Sequence, residues 1–324
     1  MSSPVVSVVL PVYNAEDYVQ ESIQSVLDQS FTDFEIIIIN DGSTDKSESK
    51  ILQFSDSRIR YIKNEVNLKL IATLNLGLEL ARGKYIARLD ADDIALPDRF
   101  AKQVDFLERY PDYGLIGSFA TLFGNDTGIL EYVREDLTIR YALLTHNPFI
   151  HSTVMFRNLI IKNNKLYYDN KQIHVEDYDL WLKILSFTKG KILPEYLVNY
   201  RLHSEQISSI YKDVQIHNAR LIQKKYFNRE FSKFKYVSIL CSVFFLEKVD
   251  IYSKYLAWKD LNDNYEHIHS ILKERLKKDI KKKIKDSVLE LESISIQDYL
   301  IVFKLFHFFT LKQKLALFLK IFNK

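Results

Sequence analysis

The sequence predicts an α/β protein, a mainly parallel, doubly wound sheet with a mostly helical C-terminal extension. Three observations carry this. Short β-branched apolar runs alternate with helix-periodic segments through roughly the first 90 residues. Aspartates stand where two of those runs end. After "YRLHSEQIS" (200–208) the strand signals fade, and the chain becomes rich in Lys, Tyr and Phe.

Taken in order, "VVSVVLPVY" reads as a buried strand, being short, continuous and β-branched. "NAEDYVQESIQSVLDQS" puts Val19, Ile23 and Val26-Leu27 on one helical face, with Asn14 as the expected N-cap. "FEIIIIND" is a second buried strand that ends on the turn signal Asp41-Gly42-Ser43. A helix over 44–54 and the strand "IRYIKN" follow. "LIATLNLGLELARG" is helical with Gly83 expected at its C-cap, and "KYIARLD" is the next strand. Such a β-α series implies a parallel sheet with helices on both faces, and ligands gather beyond the carboxyl ends of its strands. Asp41 and Asp90 lie at such ends. From about 97 to 200 the pattern is mixed: helix "PDRFAKQVDFLERY", strands near 114–123 and 151–157, and helix "VEDYDLWLKILSF". The expected division is a catalytic domain over 1–208 and a helical, basic and aromatic region over 209–324.

The composition is globular, with 47% hydrophobic and 27% charged residues in 324, and only 8 Gly and 6 Pro. A single cysteine, Cys241, excludes an internal disulfide and fits a reducing compartment, where it reads as a small buried hydrophobe. "MSSPVVSVVLPVYN" has no basic n-region, so no secretory signal is expected, and no window reaches the roughly 18–20 apolar residues of a membrane span. Residues 201–324 carry 24 Lys and Arg against 14 Asp and Glu, a net of +10, whereas residues 1–200 net −7. Opposite signs suggest cation-assisted chemistry in front and an anionic surface or partner behind.

In "GKYIARLDADDIALPDRF", three carboxylates crowd the end of a buried strand. Asp90 and Asp92 can turn oxygens toward one hard divalent cation, which takes oxygen ligands and keeps positions for water or phosphate. The plain alternative is a solvated acidic turn. Asp41 can accept from a base N–H or a ribose hydroxyl, or serve only as an Asx-turn within its own loop. "HVEDYDLWLKI" supplies Glu176, Asp177, Asp179 and Trp181 at a helix start, where the macrodipole favours acids. A carboxylate there also suits a general base if a substrate hydroxyl reaches it. His151 and His203 are single histidines whose meaning depends on their company.

Five segments supply that company: "VSVVLPVYNAEDYVQESIQSVLDQSFTDFEIIIINDGSTDKS", "NLKLIATLNLGLELARGKYIARLDADDIALPDRFAKQVDFLE", "NPFIHSTVMFR", "EDYDLWLKI" and "YRLHSEQIS". In these segments and their order, residues 6–208 resemble the family 2 glycosyltransferases, which have the nucleotide-diphosphosugar transferase (GT-A) fold. The resemblance implies that Pro11, Tyr13 and Asp41 line the nucleotide pocket, with Asn67 and Asp90 beside the ribose and diphosphate. It implies a divalent metal, Mn²⁺ or Mg²⁺, on Asp92, completed in some relatives by a histidine placed like His203. Asp177 would be the base that deprotonates an acceptor hydroxyl, with Glu176, Trp181 and His151 on the acceptor side. Many family members carry Gly where this chain has Lys69, and Arg where it has Leu74; a lysine near the diphosphate would replace the missing arginine's charge.

The implied activity is inverting transfer of a sugar from a nucleotide-diphosphosugar to a saccharide or lipid-linked saccharide in surface-glycan synthesis. The alternative from another class is a nucleotide-sugar-binding or scaffold protein without catalysis, against which Asp92 and Asp177 argue. A sugar-phosphate nucleotidyltransferase should carry a Gly-rich, Arg-containing loop after the first strand, where this chain has "PVYNAED". The resemblance ends near residue 210. Segment 299–324 interleaves apolar and aromatic residues with five lysines and no acid. It reads as a face packed on the catalytic domain or a sister subunit of a homo-oligomer, or as a membrane-interface helix on anionic headgroups. No nucleic-acid motif is present, and the expected location is cytoplasmic, peripheral at the inner membrane face.

Overall fold

The protein is described here from a computed structural model covering residues 3–206, 210–232, 237–245, 253–254, 256–257, 270–289 and 313. The chain forms two compact units, Met1–Gln223 and Lys224–Lys324.

In the first unit, β1 (Val6–Val12), β2 (Phe34–Asn40), β3 (Ile59–Lys63) and β4 (Tyr85–Arg88) pair in parallel in the order β3-β2-β1-β4. β1 and β2 are buried along their whole length, as largely apolar strands covered on both faces are, and the buried Ser7 Oγ donates to Glu35 Oε1 across them at 2.6 Å. The helices between them are α1 (Val19–Leu27), α2 (Ser47–Ile51) and α3 (Leu70–Leu80). Val19, Ile23 and Val26 of α1 join Val6, Val8 and Leu10 of β1 in the main core cluster. Val9 points the other way, toward Gly77 of α3.

Two expected caps are placed otherwise. Asn14 does not cap α1, which begins after Tyr18; Asn14 sits at φ +48° and its Oδ1 accepts from the Thr44 amide at 2.9 Å. Its short side chain therefore ties two loops at the strand ends together. Gly83 is not the left-handed terminator of α3, whose C-cap is the extended Ala81. It is required for close approach, since a Cβ there would stand 2.5 Å from the Ser7 amide of β1.

Beyond β4 the sheet becomes mixed. β5 (Ile94–Ala95), α4 (Arg99–Arg109), β6 (Tyr113–Gly124), β7 (Gly128–Leu130) and α5 (Asp136–Ala142) follow. A 3₁₀ turn (His151–Thr153), β8 (Met155–Arg157), α6 (Asn158–Asn164), α7 (Glu176–Ile184) and β9 (Lys189–Leu202) complete it. The remaining order is β4-β8-β6-β9-β5, with β7 beside β6; β8 is antiparallel to both neighbours, while β6 and β9 pair in parallel. The antiparallel β8 places the 3₁₀ turn beside the carboxyl end of β4. β9 then carries Arg201 and, just beyond it, His203 back to the Asp92 loop.

α8 (Lys212–Glu230), α9 (Val237–Phe244) and α10 (Ser270–Leu289) agree with the helical expectation for the extension. The basic run 273–286 lies on α10, where Leu276, Ile280 and Ile284 form a buried stripe at four-residue spacing. Cys241 is a buried thiol, as the sequence suggests. Segment 299–324 lies outside the described residues apart from Gln313. Among the described residues no helix is long and apolar enough to cross a membrane.

Candidate active site

The acidic cluster at the end of β4 is managed one carboxylate at a time. Arg88, the last residue of β4, is 1% exposed and donates through Nη2 to Asp90 Oδ1. Ser152 Oγ donates to Asp90 Oδ2 at 2.8 Å and accepts from the Asp90 amide at 3.0 Å. Burial pushes the Asp90 carboxyl up, but the Arg88 charge and the Ser152 bond outweigh it, and Asp90 titrates below its ordinary range. Asp92 Oδ2 lies 2.9 Å from His203 Nε2. Burial and the charge of Asp90 raise the Asp92 carboxyl above its usual value. Asp93 is fully buried and accepts from the Arg201 amide at 2.8 Å; burial, then its two acidic neighbours, raise it well above the carboxylate range. Arg201 Nε also donates to the Asp92 carbonyl at 2.8 Å.

Across the β1–β2 edge, Asp41 is buried, and its Oδ1 accepts from Asn64 Nδ2 at 2.8 Å and the Leu68 amide at 2.9 Å. Asp41 therefore knits the 64–69 loop rather than only its own. Gly42 makes this possible: it sits at φ +68°, and a Cβ there would lie 2.7 Å from the Asn67 amide. Asn67 Oδ1 accepts from the Lys69 amide at 2.9 Å. Lys69 is exposed and held at φ +75°, ψ 157°, a region that glycine occupies freely and other residues rarely do. Pro11 is buried in β1 opposite Ile39, while Tyr13 is 49% exposed at the mouth.

The third wall is the start of α7. Asp177 Oδ2 accepts from Asn147 Nδ2 at 2.8 Å, and Oδ1 from the Tyr178 amide at 2.7 Å. Burial pushes Asp177 up to about 6, its hydrogen bonds opposing. Burial and the charge of Asp177 push Glu176 up to about 7. His151 Nε2 lies 3.1 Å from the Tyr168 hydroxyl, and burial beside the Arg88 charge drives this histidine down to about 3, so it is neutral. Trp181 is 0% exposed, ringed by Phe149, His151, Phe156 and Tyr168, so it is a packing residue beneath the site.

The structure thus brings Asp90, Asp92, His203, His151, Glu176 and Asp177 to one end of the sheet, with Asp41, Asn67, Lys69 and Tyr13 along the adjoining edge. Arg88, Ser152, Asn147 and Arg201 were not among the expected residues. Arg88 had a signal: a charged residue in a buried strand needs a partner, and the next acid stands two positions on.

Asp92 and His203 fit a divalent cation. Metal–ligand distances of about 2.1 Å at right angles put adjacent ligand atoms about 3 Å apart, close to the 2.9 Å found here. Among the described residues no group of three or more His, Cys, Asp or Glu side chains forms a cage. Mg²⁺ or Mn²⁺ would use one or two protein groups and take the rest from phosphate and water.

Comparison with known proteins agrees with this architecture. Residues 7–167 match the family described as Glycosyl transferase family 2. An uncharacterized glycosyltransferase of Haemophilus influenzae is 37% identical over 235 residues, spanning 68% of this chain and 73% of the relative. The Escherichia coli UDP-Glc:alpha-D-GlcNAc-diphosphoundecaprenol beta-1,3-glucosyltransferase WfgD is 30% identical over 211 residues, covering 64% of this chain and 81% of WfgD. Among solved structures, residues 1–349 of Staphylococcus aureus TarS in complex with UDP-GlcNAc superpose with a TM-score of 0.57 at 18% identity, covering 86% and 89% of the two chains. At that identity the likeness speaks for the fold. The chain belongs to glycosyl transferase family 2 and is a glycosyltransferase.

Proposed function

We propose that this enzyme transfers a sugar, with inversion, from a nucleotide-diphosphosugar, most simply a UDP-sugar, to a hydroxyl of a saccharide or lipid-linked saccharide acceptor. The observation that carries the reading is Asp177, a half-buried carboxylate fixed by two hydrogen bonds at the same sheet end as Asp90 and Asp92. Asp41, Asn67 and Tyr13 bind the nucleoside, and Lys69 and Asp90 flank the diphosphate. Asp92 and His203 would hold the divalent cation, which when bound would supply positive charge to the leaving diphosphate.

The acceptor oxygen attacks the anomeric carbon from the face opposite the leaving group. Its proton passes to Asp177, the new C–O bond forms, and the bond to the diphosphate oxygen breaks with its electron pair on the nucleotide. One displacement needs one base, and no covalent sugar-enzyme intermediate arises. The names of WfgD and TarS support a UDP-sugar donor, and that of WfgD a lipid-linked acceptor. A lipid-linked acceptor would place the enzyme at the inner face of the membrane.

Screening nucleotide sugars by thermal shift and by hydrolysis, with and without Mn²⁺, tests this reading. Metal-dependent stabilisation and slow hydrolysis with one donor class are expected. Sugar-1-phosphates turning over in their place would sink it.

A further inference from the structure

Arg88 belongs to neither the donor set nor the acceptor set proposed above, yet it lies between them. It ends β4 on the sheet face opposite the main core cluster, and its charge reaches His151, Tyr168 and Glu176 at the start of α7. The guanidinium is 1% exposed and spends one nitrogen on Asp90. Its Nε and Nη1 are buried and have no hydrogen-bond partner among the described residues. A buried cation with idle donors is costly unless acids around it use the charge. The backbone fixes it firmly: its amide bonds the Val154 carbonyl at 3.1 Å, and Arg99 Nη2 holds its carbonyl at 2.8 Å.

We propose that Arg88 is a positioning residue that links the two halves of the site, orienting Asp90 toward the donor from below and setting its charge beside Glu176 at the start of α7. It touches no substrate. The groups facing the acid pair are Asp90 and Arg88 from β4 and its end, Asn147 from the loop before the 3₁₀ turn, and the Tyr168 hydroxyl. Of these, Arg88 carries the positive charge. That charge opposes burial at Glu176, whereas Asp90 reinforces it. The inference rests on Asp177 being the base, so the two ideas need separable tests.

The experiment is the pH dependence of kcat/KM for wild type, Arg88→Gln and Arg88→Lys, with donor affinity measured by calorimetry for each. The Gln variant should move the acidic limb upward by about one pH unit and weaken donor binding through Asp90; Lys, which keeps the charge, should return the limb to within about 0.3 unit. If Gln does not fold, Lys carries the test alone, and a limb displaced by a full unit contradicts the proposal. A uniform loss of activity at every pH with the limb in place marks a purely structural arginine and overturns it. Failure of the underlying reading looks different: wild type would then have no carboxylate limb, or Asp177→Asn would stay active.

Discussion

His203 Nε2 lies 2.9 Å from Asp92 Oδ2, although 111 residues separate them in sequence. β9 makes the meeting possible: it runs parallel to β6 and pairs with the short β5, which follows the Asp92 loop directly. Arg201 then clamps that loop through the Asp92 carbonyl and the Asp93 carboxylate.

The first prediction concerns this pair. Asp92→Asn removes a carboxylate already raised by burial and by Asp90, so the fold should be as stable as wild type or more so. Turnover should fall by roughly 10²-fold or more, the scale for losing a group that stabilises transition-state charge. EDTA should silence the wild type, and Mn²⁺ or Mg²⁺ restore it. Near-normal turnover of the variant in EDTA would remove the metal from the account.

The second prediction concerns Lys69 and its unfavourable backbone. Strain of this kind costs on the order of 1–3 kcal/mol and persists where a side chain is useful. Lys69→Gly should relieve it, stabilising the protein by about 1 kcal/mol after the unfolded-state entropy of glycine is subtracted. Affinity for the nucleotide-sugar should drop severalfold, most at low salt. Unchanged donor affinity would leave the lysine without a role at the diphosphate.

The third prediction uses the sign of the Glu176 shift. Its carboxyl titrates near 7 when folded against 4.5 for the ordinary side chain. Between those values the folded protein holds a proton that the unfolded chain has released, so stability is greatest below the window and falls as pH rises through it. Glu176→Gln, which cannot ionise, should therefore unfold later than wild type at pH 8, by about 1–3 kcal/mol. The two should coincide below about pH 4, under both values. Equal stability at both pH values would show that the acid is not buried as described.

Much of the donor half is legible in the chain because it is built locally. The runs Val6–Val12 and Phe34–Asn40 are largely apolar, so their burial, and Asp41 at the carboxyl end of the second, can be read directly. The acceptor half is less legible. β9 contains Lys189, Lys191, Pro194 and Glu195, and its register against β6 shifts, which hides both its length and its direction. The antiparallel insertion of β8 is a tertiary choice with no local signature in three residues. Asn14 looks like a cap by composition, but its neighbours in space, at Ser43 and Thr44, decide its conformation. The work of Asp41 as a brace for the 64–69 loop likewise needs two loops at once.

The central claim is that Asp177 is the base of an inverting transfer, and one comparison tests it most directly. Donor binding and single-turnover transfer are measured side by side for wild type and Asp177→Asn at pH 8, where the carboxyl held near 6 is ionised. The account predicts a donor dissociation constant within about twofold of wild type and transfer slowed by roughly 10²–10⁴-fold. Transfer at the wild-type rate, or a larger loss in Glu176→Gln than in Asp177→Asn, would contradict it.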